Sequence, residues 1–73
     1  MKKSIYSEDH KYLINQLRKA RAEVGLEQEE VARLLRRTQS YVSKIESGQR
    51  RINVVQLKQF AKLYNKDISY FIK

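Results

Sequence analysis

Gln39, Ser40, Ser43 and Lys44 stand at positions i, i+1, i+4 and i+5 of one short segment. On a helix that spacing gathers them into a single row, with Val42 and Ile45 turned to the opposite side. A glutamine amide can pair bidentately with adenine N6 and N7. A serine hydroxyl can donate or accept, and a lysine ammonium suits guanine acceptors or a phosphate. A rigid helix that buries one side and offers this row on the other fits a DNA groove. Thr38 is placed to accept a backbone N–H with its hydroxyl and so fix where the helix begins, and the first-turn residues of such helices meet base edges.

Cationic side chains flank the row. Arg36 and Arg37 precede it, and Gln49, Arg50 and Arg51 follow Gly48; guanidinium groups beside tight turns suit phosphate oxygens. Gln28 opens the preceding helical pattern, where an amide can touch a phosphate beside free helix N–H groups and brace Gln39 across the turn. Tyr41 has two open readings: packing over a neighbouring helix, or reaching a phosphate with its hydroxyl. Each of these side chains alone could be an ordinary solvated group. Their joint placement is what carries the interface reading.

Arg21 and Glu46 do not fit the surface pattern. Arg21 lies four residues after Leu17 on an apolar face, and Glu46 lies four after Val42, near a helix end that disfavours an acid. A partly buried Arg21–Glu46 ion pair resolves both anomalies and is expected to be structural.

Five helices are needed to position these groups. Helix 1 is expected over Glu8–Val24, capped by Ser7, with Leu13, Leu17, Ala20 and Val24 as its buried stripe. Helix 2 is expected over Gln28–Leu35 with Val31, Ala32 and Leu35 inward, and helix 3 over Gln39–Ser47. Helix 4 is expected over Val54–Tyr64, capped by Asn53 and burying Leu57, Phe60, Ala61 and Tyr64. A fifth helix of one to two turns starts near Ile68 behind Asp67, anchored by Phe71. The two glycines, Gly25 and Gly48, each follow a helical pattern, where a left-handed residue ends a helix. No window alternates cleanly, so no strand is expected. Residues 1–7 read as a flexible basic arm and 8–73 as one domain, with 28–47 as its reading unit.

With 73 residues there is room for one modest core. The absence of cysteine excludes disulfides and thiolate chemistry, and the sole histidine, His10, has no metal-ligand spacing around it. Glu27, Glu29 and Glu30 crowd one helix start without a paired base, and no glycine-rich phosphate loop is present. Neither catalysis nor a cofactor, metal or small-molecule ligand is therefore expected. The N-terminus lacks the apolar run of a signal peptide, and no segment is long and apolar enough to span a bilayer. A cytoplasmic, nucleoid-associated protein is the expectation. The net charge of +8 is unevenly spread: residues 1–35 contribute +1 and residues 36–73 contribute +7. The excess begins at the turn before the reading helix, as a phosphate-binding surface requires.

LRKAR (17–21), GLEQEEVARLL (25–35), QSYVSKIESGQRRI (39–52) and LKQFAKLYNKDISYF (57–71) together resemble the Cro/repressor-type, or XRE-like, helix-turn-helix family. The resemblance implies an all-α, lambda-repressor-like bundle of five helices. It implies DNA-facing roles for Gln28, Gln39, Ser40, Ser43 and Lys44, phosphate contacts at Arg50 and Arg51, and an internal Arg21–Glu46 pair. There are three departures from the family pattern. Glu27 replaces the usual Ser or Thr cap, Arg36 and Arg37 replace glycine and an apolar residue in the turn, and Lys66 stands where an apolar residue often closes helix 4 onto helix 5. With Arg36 in place of glycine, a differently built turn is expected. The function implied is a transcriptional regulator, a repressor, that reads a palindromic operator as a homodimer in the major groove. An exposed remainder of Tyr70 and Ile72 could serve the dimer. The alternatives are an antitoxin-like or other protein-binding module on the same fold, and a membrane-surface peptide built on basic, amphipathic helix 1.

Overall fold

A computed structural model describes residues 7–73. Four α-helices, α1 (Glu8–Val24), α2 (Gln28–Leu35), α3 (Gln39–Glu46) and α4 (Val54–Leu63), are followed by one 3₁₀ turn, Ile68–Phe71. The helix starts follow from local chemistry. Ser7 Oγ accepts from His10 N at 3.2 Å, Thr38 Oγ1 from Tyr41 N at 3.1 Å, and Asn53 Oδ1 from Gln56 N at 2.8 Å. Each satisfies a donor that the first helical turn leaves free. At α2, Glu30 Oε1 accepts from Glu27 N at 2.8 Å, so an acid three residues on supplies part of the start signal that a Ser or Thr cap would give.

The ends differ from expectation in small, explicable ways. α3 stops at Glu46 because Gly48 turns left-handed (φ 87°) and Gln49 N donates back to Lys44 O at 2.9 Å. α4 stops at Leu63 because Asn65 adopts φ 58° and Lys66 N donates to Ala61 O at 2.9 Å; such back-bonding satisfies the last carbonyls. The expected fifth α-helix is instead the 3₁₀ turn. Tyr70 N donates to Asp67 O and Ile72 N to Ser69 O, the i to i+3 pattern, and Ile72 is already extended. Val24, expected in the buried stripe, is 42% exposed. α1 ends there, Gly25 reverses the chain at φ 73°, and Leu26 packs against the core instead.

The core is built from Leu17 and Ala20 of α1, Val31 and Ala32 of α2, and Val42 and Ile45 of α3. Leu57, Phe60 and Ala61 of α4, with Tyr64 and Phe71, complete it. α2 packs on α3, α1 packs on α3 and on the terminal turn, and α4 also meets that turn. Gln16 Nε2 donates to Tyr70 O at 3.1 Å, which ties α1 to the end of the domain. Lys66 reaches Glu23 Oε1 at 2.9 Å and lies 4.5 Å from the Tyr70 ring centroid. The lysine therefore seats the terminal turn through charge where an apolar side chain could have done so by packing. The basic arm expected over 1–7 lies outside the described residues except for Ser7. Among the described residues no helix is long and apolar enough to cross a membrane, and no group of three or more His, Asp or Glu is placed to hold a metal ion.

Candidate nucleic-acid interface

α3 divides cleanly between inside and outside. Tyr41, Val42, Ile45 and Glu46 are buried, while Gln39, Ser40, Ser43 and Lys44 are exposed. All four row residues thus stand on one open face of a helix whose other face is core. Eight residues at a rise of about 1.5 Å make α3 about 12 Å long, close to the width of a B-DNA major groove.

The floor beneath this helix is an ion-pair network. Arg21 Nε donates to Glu46 Oε2 at 2.8 Å and Arg21 Nη2 to Glu46 Oε1 at 3.0 Å, while Nη1 donates to Leu26 O at 2.9 Å. Glu46 is 2% exposed. Its hydrogen bonds hold the Arg21 guanidinium pKa above the ordinary value, chiefly through the direct bond and against the opposing effect of burial. The pair expected from the sequence is present, and it fixes α1 against α3.

Gln28 is placed differently from expectation. Its Nε2 donates to Glu46 Oε1 at 3.0 Å, so the amide braces the buried carboxylate and not Gln39. The reason is the demand of a buried carboxylate for donors beyond those one guanidinium supplies. One of the two Gln28 amide N–H donors is thereby turned inward.

The turn between α2 and α3 also corrects an expectation. Arg36 takes φ 60° and ψ 44°, the left-handed geometry that glycine would have adopted. The turn keeps its form despite the arginine, at a strain of about 1 kcal/mol. Arg36 N donates to Arg33 O at 3.1 Å and Arg37 N to Ala32 O at 2.8 Å, which hold it. After α3, Gln49 N and Arg50 N both donate to Lys44 O, at 2.9 and 3.1 Å. Arg36, Arg37, Gln49, Arg50 and Arg51 are all exposed, on the two turns that bracket α3.

Tyr41 does not reach outward. It is 6% exposed and its hydroxyl is buried without a hydrogen-bond partner. Its ring stacks on Phe60, with centroids 6.3 Å apart and planes 14° from parallel. Of the two readings, packing over α4 is the one observed, and the phosphate-contacting role is withdrawn. The sequence reading missed what the ring carries: the Arg37 Cζ lies 4.7 Å from its centroid and the Arg50 Cζ 5.0 Å. Guanidinium over an aromatic ring is stabilising by about 0.5–1 kcal/mol at exposed sites. Arg37 lies in the turn just before α3, close in sequence to the ring it covers.

Near the start of α1, His10, Leu13, Arg51 and Phe71 line a cleft of about 260 Å³. Burial, and then the neighbouring Arg51 charge, hold the His10 pKa below its ordinary value. Its Nε2 is buried without a partner. Ile72, beside it, is 58% exposed, whereas Tyr70 is half-buried under Lys66.

A helix-turn-helix family model matches residues 17–71, which contain the whole of α2, the turn, α3 and α4. No curated protein matches the chain.

Proposed function

The chain belongs to the helix-turn-helix family, of the Cro/repressor type, a family of DNA-binding regulators, and from that premise we propose that it is a sequence-specific repressor whose α3 reads an operator in the major groove. The observation that carries this reading is the exposed row Gln39, Ser40, Ser43 and Lys44, bracketed at both ends of α3 by exposed arginines. In this reading the row meets base edges. Arg36, Arg37, Gln49, Arg50 and Arg51 meet backbone phosphates beside α3, which sets register and supplies most of the salt-dependent affinity. Gln28 contributes at the edge of the site with the part of its amide that Glu46 leaves free.

A helix about 12 Å long reads only a few base pairs, so one copy gives little discrimination. A homodimer on a palindromic site, with half-sites one helical turn apart, multiplies it. The exposed Ile72 is a surface available to such pairing.

Selection of sites from a randomised duplex library tests the proposal. Enrichment of an inverted repeat with fixed spacing is the expected result. Salt-sensitive retention of duplex without any enriched motif would remove the sequence-specific reading. Failure to retain DNA at all would direct attention to a protein partner, as in an antitoxin-like module.

A further inference from the structure

Arg37 and Arg50 come from turns at opposite ends of α3, yet their guanidinium carbons lie 4.7 and 5.0 Å from the centroid of one ring, that of Tyr41. They are therefore no farther apart than the sum of those distances. Both backbones are pinned: Arg37 N to Ala32 O at 2.8 Å, and Arg50 N to Lys44 O at 3.1 Å. The ring is itself fixed against Phe60 and buried to 6% exposure. Among the described residues the ion pairs are Arg21–Glu46 and Lys66–Glu23, so no carboxylate neutralises either arginine. Two like charges whose carbons lie within about 10 Å, the scale of the Debye length of about 8–10 Å, repel with partial screening. A tetrahedral oxyanion between them relieves this repulsion and takes charge-assisted hydrogen bonds from both planar forks.

We propose that Arg37, Tyr41 and Arg50 form one preassembled clamp for a single phosphate oxyanion, with Tyr41 as its positioning residue. Resting on the DNA-binding reading above, the occupant is one phosphodiester of the duplex beside α3. The clamp joins the two turns that flank the reading helix, so a single phosphate sets the helix's height and register in the groove. Tyr41 acts through its ring face, its hydroxyl being buried and without a hydrogen-bond partner.

Binding to duplex DNA is measured against salt concentration for the wild type, Arg37→Ala, Arg50→Ala and the double variant. Each neutralised phosphate contributes about 0.9 to the log–log slope. A shared phosphate predicts that the double variant loses about 0.9 in slope. A loss near 1.8, two separate phosphates, or no loss would overturn the clamp. Tyr41→Leu, with its fold verified by circular dichroism, is expected to bind several-fold more weakly, and to add nothing in the double-arginine background. If Tyr41→Leu does not fold, the arginine cycle decides alone. Inorganic phosphate is also titrated into the ¹⁵N-labelled wild type without DNA, following the Arg37 and Arg50 Nε–Hε resonances. One common dissociation constant supports the clamp, and two distinct constants overturn it. A common constant in a protein that does not bind duplex would sink the DNA reading and leave the clamp standing. DNA binding with a slope loss near 1.8 would do the reverse.

Discussion

The side-chain amide of Gln28 donates to Glu46 Oε1 at 3.0 Å, on the same oxygen that takes Arg21 Nη2 at 3.0 Å. One buried carboxylate on α3 is thus held by a cation from α1 and an amide from α2. α3 is oriented from beneath by charge as well as by packing.

That arrangement makes Glu46 the most consequential polar residue for stability. Glu46→Ala leaves Arg21 without its partner and is expected to lower unfolding free energy by about 3 kcal/mol, the lower end of the range for broken buried pairs because Arg21 is partly exposed. Gln28→Ala should cost about 1 kcal/mol. Urea unfolding monitored by far-UV circular dichroism measures both. A Glu46→Ala protein within about 1 kcal/mol of wild type would show that the pair is not a structural support.

Arg36 separates stability from binding. Arg36→Gly removes a side chain from left-handed geometry and is expected to stabilise the fold by about 0.5–1 kcal/mol. The same change removes a cation from the turn before α3, so DNA affinity should fall as the melting temperature rises. Thermal melts and fluorescence anisotropy on the two proteins check this opposition. Equal or lower thermal stability in the variant would contradict the strain assigned to Arg36.

Gln39 bears on discrimination more than on affinity for DNA in general. Gln39→Ala should narrow the gap between preferred and scrambled duplexes by about 1–3 kcal/mol while leaving the salt slope alone. Competition binding with the selected site measures the gap. An unchanged gap would remove Gln39 from the base-reading set.

His10 predicts a dependence on acidity. Its folded pKa lies below the ordinary 6.5, because burial and then Arg51 disfavour the imidazolium. Protons are then bound more readily by the unfolded chain. The stabilising contribution is fully present above pH 6.5 and is lost as pH falls through 6.5 toward the depressed folded value. Melting temperatures between pH 8 and pH 5 should decline more for wild type than for His10→Gln. Parallel curves would show that His10 does not contribute to the acid sensitivity.

Helix placement was legible in the sequence because its signals are local. Ser7, Thr38 and Asn53 announce helix starts by their own side chains, and Gly25 and Gly48 announce ends by needing no Cβ. The Arg21–Glu46 pair was also legible, since two charges at core-facing positions have few other resolutions. The fate of Tyr41 was not, because an aromatic ring with a polar tip satisfies packing and surface roles equally until a neighbour such as Phe60 is in place. Gln28 misled for a related reason: a surface amide and one that leans inward to Glu46 occupy the same helical position. The ring shared by Arg37 and Arg50 depends on how two turns fold back toward one point, which no linear spacing encodes beyond Arg37 itself.

The first helix is completed by the last turn: Gln16 bonds to Tyr70 O, 54 residues away in sequence, and Phe71 is fully buried against the core. Within this domain, then, α1 is synthesised long before the turn that completes it. A chain that stops short of Phe71 lacks a side chain that closes this core, so folding of the whole unit waits on its terminal turn.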